Sequence, residues 1–118
     1  MRPVLRASFS PDVEDLESFA PPADAPWSVY VVLLVGPDGS EGEESFGVTI
    51  CNALWLEDKA KAIGVLLGRH HLVMPSFDWA RAQAFIDSFL ARCDGDTWPA
   101  VAARVGRLGY WEFEDYQP

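Results

Sequence analysis

The chain has 118 residues, 49% of them hydrophobic and 23% charged, which suits one globular domain with one core. It carries 9 basic and 18 acidic residues, a formal net charge of -9. Nucleic-acid-binding proteins present a positive surface, so this balance argues against direct binding to nucleic acid. We expect a single domain over residues 1–118.

The first quarter of the chain predicts one strand followed by irregular structure. Arg2–Ser10 is typical of an edge strand, and Val13–Phe19 predicts a short helical turn. Three prolines in Ala20–Pro26 favour an irregular, extended segment. The opening residues lack the apolar segment of a secretory signal, and the longest apolar run, Val29–Val35, is too short to span a membrane. We therefore expect a cytoplasmic protein without membrane association.

The central stretch from Val29 to Cys51 predicts a β-hairpin. Val29–Val35 is a continuous β-favouring run, which predicts a strand buried on both faces. The partner strand alternates, with Phe46, Val48 and Ile50 on one side and smaller residues on the other. Glycine, proline and acidic residues fill the connection, as in a long hairpin turn.

The second half of the chain predicts one more strand and a set of helices. Asn52–Lys61 indicates a short helix, and Arg69–Met74 a strand that ends at Pro75. Trp79–Cys93 carries an amphipathic stripe, and Thr97 begins a second long helix that ends near Gly109. We expect an α+β fold, an antiparallel sheet of about four strands with two C-terminal helices packed on one face. The predicted core consists of Val31, Leu33, Phe46, Val48, Ile50, Phe85, Ile86, Phe89, Val101 and Val105.

Few residues point to catalysis or to metal binding. His70 and His71 would lie on opposite faces of a strand, so they could not share one metal ion. Cys51 and Cys93 are expected to be buried free thiols, and no cofactor is expected. The acids of the C-terminal segment Trp111–Tyr116 could carry acid–base chemistry beside aromatic rings, or could lie in water on an ordered aromatic segment.

Six short motifs are distinctive in their order and spacing. They are Ser8–Asp12, Gly36–Cys51, Trp55-Leu56, Arg69–Val73, Thr97-Trp98 and Trp111–Tyr116. Together they resemble the immunity protein 8 family of bacterial polymorphic-toxin systems over nearly the whole chain. Met74-Pro75 departs from the family pattern, in which an apolar strand usually continues. The resemblance implies a small α+β protein, encoded next to a toxin, that binds the toxin in the producing cell and is not an enzyme.

Charge and aromatic residues provide candidates for the toxin-facing surface. Many toxin domains are nucleases with basic clefts, so an acidic inhibitor would be electrostatically matched to its target. Rigid aromatic side chains are the alternative, since they often supply most of the binding energy. The acidic candidates are Asp38, Glu41, Glu43 and Glu44 at the hairpin tip and Glu112, Glu114 and Asp115 near the C-terminus, and the aromatic candidates are Trp27 and Trp55.

Two other functions stay open on the sequence alone. The hairpin acids could be no more than a solvated turn, and the protein could be an adaptor module that forms a homodimer. In that case the apolar side of the central strand, at Tyr30, Val32 and Leu34, would be buried between two copies. A small enzyme that uses the C-terminal carboxylates is the remaining alternative.

Overall fold

In a computed structural model, which describes residues 1–114, the described chain forms one five-stranded sheet and three helices. The strands are β1 (Pro3–Phe9), β2 (Ser28–Pro37), β3 (Glu44–Cys51), β4 (His71–Val73) and β5 (Tyr110–Trp111). The helices are α1 (Ala53–Ile63), α2 (Trp79–Leu90) and α3 (Trp98–Val105). None of these helices has the length and apolar composition to cross a bilayer.

The strand order is β1-β2-β3-β4, and β5 also pairs with β3. The predicted α+β class and the β2–β3 hairpin are confirmed, and the predicted antiparallel sheet of about four strands is close to the observed sheet but differs from it in two respects. β4 runs parallel to β3, because the chain passes through α1 before it returns to the sheet. The two-residue β5 then adds a fifth strand, antiparallel to β3.

The central strand β2 is buried on one face only. Val29, Val31, Leu33 and Val35 are fully buried in the core, whereas Tyr30 on the opposite face is 40% exposed. The expectation that both faces are covered is wrong, because α2 and α3 contribute their buried residues to one face of the sheet. The uncovered face is called the open face; its residues are Phe9, Tyr30, Val32, Leu34, Gly47 and Tyr110.

The predicted stripe of α2 is only partly a core stripe. Ile86 is fully buried and Phe89 is half-buried, but Phe85 is 50% exposed, so its assignment to the core is wrong. The helical stripe is wider than the sheet beneath it, because the edge strand β4 has only three residues. Asp78 caps the helix, accepting a hydrogen bond from the Arg81 N–H at 3.2 Å.

Helix α1 contributes no buried residue to the core. The Asn52 side chain caps it by accepting a hydrogen bond from the Trp55 N–H at 3.0 Å. The Trp55 ring lies 6.0 Å from the ring of His71 on β4. This helix therefore serves mainly as the crossover that brings the chain back to the edge of the sheet.

Candidate partner-binding surface

A bulge in β1 places an arginine over the hairpin. The register between β1 and β2 shifts between Leu5 and Ala7, so Arg6 lies opposite no single residue of β2. Its guanidinium lies across Gly36, where a Cβ atom would clash with the Gly42 carbonyl oxygen and with the Arg6 Nε. A glycine is required here, because any side chain would displace the arginine.

Arg6 fixes the path of the hairpin tip, residues 37–43. Its Nε donates to the Gly42 carbonyl at 3.2 Å, and its Nη2 donates to the carbonyls of Pro37, at 2.6 Å, and Ser40. Gly39 and Gly42 adopt positive φ angles of 79° and 100°, which glycine adopts without steric cost. The tip is thus an ordered loop wrapped around one guanidinium.

The acidic side chains of the tip differ in what they contact. Asp38 pairs with Arg2, with 2.8 Å between Oδ2 and Nη2, and its N–H donates to the Arg2 carbonyl. Glu41 and Glu43 are exposed, and within residues 1–114 neither carboxylate has a hydrogen bond or an ion pair. A fixed backbone therefore presents two unpaired carboxylates to a partner.

Glu44 has a structural role instead. Its Oε2 accepts a hydrogen bond from the Trp111 indole at 2.7 Å, and its Oε1 accepts one from the Trp98 indole. One half-buried carboxylate thereby joins β3 to α3 and to β5. Each of its two oxygens therefore has an indole partner in the free protein.

The first C-terminal acid also holds structure together. Glu112 Oε1 accepts the Ser45 N–H at 2.8 Å, at the start of β3. Beside it, the Trp111 ring stacks on Phe46 with 6.4 Å between ring centroids. Trp111 therefore packs on the sheet, and Glu112 accepts a hydrogen bond from β3.

Glu114, the second C-terminal acid, contacts Arg69 and His70 in the turn before β4. Glu114 Oε1 lies 3.3 Å from the Arg69 Nη2 and 3.4 Å from the His70 Nε2, and the Glu114 side chain is only 13% exposed. His70 Nε2 also contacts the Gly106 carbonyl at 2.7 Å, and its backbone has a φ of 64°. These contacts favour a structural role for Glu114. Asp115 lies outside the described residues.

The two tryptophan candidates lie in different environments. Trp27 is a core residue, 5% exposed, with its ring 5.7 Å from Phe77. Trp27 was a candidate aromatic anchor of the toxin-facing surface, but its burial leaves almost no accessible surface for a partner to contact. Trp55 is half-buried at the start of α1 and keeps part of its ring in solvent.

The cysteines are inert, and the described acids form no metal site. Cys51 and Cys93 are buried free thiols, as expected. Burial raises the pKa of Cys51 to about 11 and also raises the pKa of Cys93, so neither thiol is an activated nucleophile. Over residues 1–114, no group of three or more His, Cys, Asp or Glu residues is placed to hold a metal ion.

A groove that the sequence did not reveal lies between β4 and α2. It encloses about 320 Å³ and is mostly apolar. Phe85 forms an exposed wall, Ala82 is buried at the base, and Val73 and Arg81 lie at the same site. No sequence signal indicated it, because Arg69–Met74 predicts a longer strand than the three residues that pair with β3.

The model of one protein family, Immunity protein 8, matches residues 4–116. The chain belongs to the Immunity protein 8 family. The match includes every strand and helix described above except Pro3, the first residue of β1, and confirms the resemblance seen in the motifs. No curated protein and no solved structure matches the chain. Membership of the Immunity protein 8 family indicates an immunity protein of a toxin system, with a toxin protein as its partner.

Proposed function

We propose that the protein binds the toxin domain of a cognate polymorphic toxin in the cytoplasm of the producing cell and covers its functional surface. It acts as a stoichiometric inhibitor rather than as an enzyme. Membership of the Immunity protein 8 family is the observation that carries this proposal. The engaged state of Glu44, Glu112 and Glu114 supports it, because these carboxylates serve the fold.

The hairpin tip is the charged part of the proposed toxin-binding surface. Arg6 holds its backbone, so Glu41 and Glu43 lose little further freedom when a partner binds them. A net charge of -9 also attracts a cationic partner over a distance of several ångströms and speeds the encounter. The proposed target is therefore a toxin domain with a basic surface.

A nuclease fits these requirements. Nucleases bind phosphate groups with arginine and lysine side chains, and a carboxylate offers those cations a similar pair of oxygen acceptors. Glu41 and Glu43 would occupy the positions where the enzyme holds its substrate. Binding would then exclude the nucleic acid without any chemical step.

The experiment compares two double variants with the same change in charge. Glu41→Gln/Glu43→Gln neutralises the tip, and Glu14→Gln/Glu17→Gln neutralises two exposed acids elsewhere. The purified toxin domain encoded next to the gene is the probe, and association rates are measured at about 0.05 M and 0.5 M salt. The tip variant should associate several-fold more slowly than the control at low salt, with the difference largely lost at high salt because exposed charges are screened. Equal rates for both variants at low salt would reject the tip as the charged surface, and no binding by the wild-type protein would reject the function.

A second candidate is a homodimer or adaptor module that associates through the open face. Phe9, Val32, Gly47 and Tyr110 form one row across four strands, and Phe9 and Tyr110 are 50% and 47% exposed. Such an apolar row favours burial against another surface. Light scattering should then show a dimer at micromolar concentrations, and Tyr110→Lys should dissociate it. A monomeric mass at millimolar concentration would exclude this candidate.

A further inference from the structure

We infer that an extended segment of the toxin domain adds to the sheet as a strand beside β4, with its side chains in the groove between β4 and α2. The identity of this partner rests on the proposed function. The inference itself rests on three features of the groove, taken over residues 1–114: free backbone groups of β4, an apolar lining and an arginine without a carboxylate partner.

The backbone of β4 has a free edge. Two hydrogen bonds to β3 bracket the strand, one accepted by the His70 carbonyl at 3.0 Å and one donated by the Met74 N–H at 2.9 Å. Successive residues of a strand direct these groups to opposite sides, so the N–H and C=O of His71 and Val73 point away from β3. In residues 1–114 no backbone group bonds to them. An extended peptide is the ligand that satisfies such a row of donors and acceptors.

The groove beside this edge fits apolar side chains. Its volume of about 320 Å³ exceeds that of any single side chain, so two neighbouring side chains on one face of a strand could enter it. Phe85 is 50% exposed, and Leu72 and Met74 also line the groove. Phe85 continues the core stripe of α2, as its spacing from Ala82 and Ile86 requires, yet it has no strand beneath it. An added strand would complete this layer.

Arg81 defines the charge of the incoming segment. Its side chain lines the apolar groove, and within the described residues it has no carboxylate partner. Arg92, Arg104 and Arg107 also lack a carboxylate partner among residues 1–114, but none of them lines this groove. The segment that fits would therefore combine apolar residues at alternate positions with an aspartate or glutamate that reaches Arg81.

A second copy of this chain does not supply that segment. Residues 69–75, which contain β4, read Arg-His-His-Leu-Val-Met-Pro and include no acid. Two copies paired edge to edge would bring Arg69 rather than a carboxylate towards Arg81. The net charge of -9 on each copy would also oppose their association. The groove therefore fits a toxin segment better than another immunity protein.

The groove and the hairpin tip lie at opposite ends of β3. A rise of about 3.3 Å per residue separates Glu44 and Cys51 by roughly 23 Å. An ordinary interface buries about 800 Å² on each partner, which corresponds to a patch of similar width. One toxin domain could reach both sites, with the exposed acids acting mainly on association and the groove acting mainly on dissociation.

The test removes the outward donor of β4 and leaves its pairing with β3 intact. Val73→Pro eliminates an N–H that faces away from β3, a position where edge strands tolerate proline. Arg81→Glu reverses the charge in the groove, and Arg107→Glu is the matched control, because Arg107 is exposed and lies outside the groove. The toxin domain encoded next to the gene is again the probe. Val73→Pro and Arg81→Glu should each weaken its binding roughly tenfold, chiefly through faster dissociation, while Arg107→Glu changes binding less than about twofold.

Hydrogen exchange gives a readout that does not depend on any variant. In the wild-type complex, the amides of His71 and Val73 should become protected, since they gain acceptors from the added strand. Unchanged exchange at both amides would overturn the inference, even if Val73→Pro fails to fold. The inference would also be overturned if Val73→Pro and Arg81→Glu both fold and bind the toxin domain as tightly as the wild-type protein does. Protection that depends only on the concentration of the immunity protein would overturn it in favour of a second copy. If the wild-type protein does not bind the toxin domain at all, the proposed function fails as well, so the two failures are distinguishable.

Discussion

Replacing Glu44 with glutamine tests whether this acid belongs to the fold rather than to the binding surface. Glutamine has the same shape but one oxygen instead of two, and it carries no charge. Both indoles, Trp98 and Trp111, donate to the carboxylate in the native protein. In the variant one indole N–H would therefore face an amide NH₂ group, which is also a donor.

The expected loss of stability follows from these two hydrogen bonds. A hydrogen bond to a charged group contributes about 1.5–3 kcal/mol, and Glu44→Gln removes one such bond and weakens the other. Because Glu44 is only half-buried, we expect a loss of about 1.5–3 kcal/mol in the free energy of unfolding. An unfolding entropy of about 2.1 cal/mol/K per residue converts this loss to a fall in Tm of roughly 6–12 °C for 118 residues.

Thermal and urea unfolding followed by tryptophan fluorescence would measure the loss. Glu43→Gln is the control, because its carboxylate is exposed and has no partner within residues 1–114, and it should change stability by less than about 0.5 kcal/mol. Trp98→Phe should remove part of the same interaction, so the two changes should be less than additive when they are combined. Equal stability of Glu44→Gln and Glu43→Gln would refute the structural role of Glu44.

Three further predictions concern the core, the thiols and the hairpin. Ile86→Ala should lower the free energy of unfolding in urea by about 2–5 kcal/mol, and Phe85→Ala by less than about 1 kcal/mol, because Ile86 is fully buried and Phe85 is half exposed. A larger loss for Phe85→Ala than for Ile86→Ala would contradict the packing of α2. Burial raises the pKa of Cys51 from 9.0 to about 11, so between these pH values the thiol ionises in the unfolded chain but not in the folded protein. The free energy of unfolding should therefore be unaffected by this thiol below pH 9 and should fall by on the order of 2–3 kcal/mol by pH 11. Cys51→Ala should reduce this dependence on pH, and an unchanged dependence would show that Cys51 is not its cause. Arg6→Ala should speed amide exchange in residues 37–43 at least tenfold while β3 keeps its protection, and unchanged exchange would show that Arg6 does not order the tip.

The sequence predicted those parts of the fold that depend on local patterns. Alternation in residues 45–51 identified β3 and its core face, and the stripe of α2 identified Ile86 correctly. The direction of β4 could not be predicted in this way, since it depends on how the chain crosses the sheet through α1. Phe85 has the same spacing signal as a core residue, and only the short length of β4 leaves it exposed.

The candidate site shows the same limit. The sequence shows where the acids are, but Glu44 accepts hydrogen bonds from indoles that lie 54 and 67 residues further along the chain. A local sequence pattern cannot predict such distant partners. The position of Trp27 was also not predictable, because a large aromatic residue after a proline-rich segment could face solvent or the core. In the structure Trp27 faces the core. The placement of Glu41, Glu43 and Trp55 on a toxin-binding surface stays a prediction.

The way Arg6 holds the hairpin tip has a consequence for how such a protein can change over evolutionary time. The acceptors on the loop are main-chain carbonyls, which every amino acid carries, so the anchor does not depend on the side chains at Ser40, Glu41 or Glu43. Substitutions at these positions can follow changes in the toxin while the loop keeps its path. Only the arginine and the glycines that accommodate it must stay constant. New specificities could thus arise at the tip with little loss of stability.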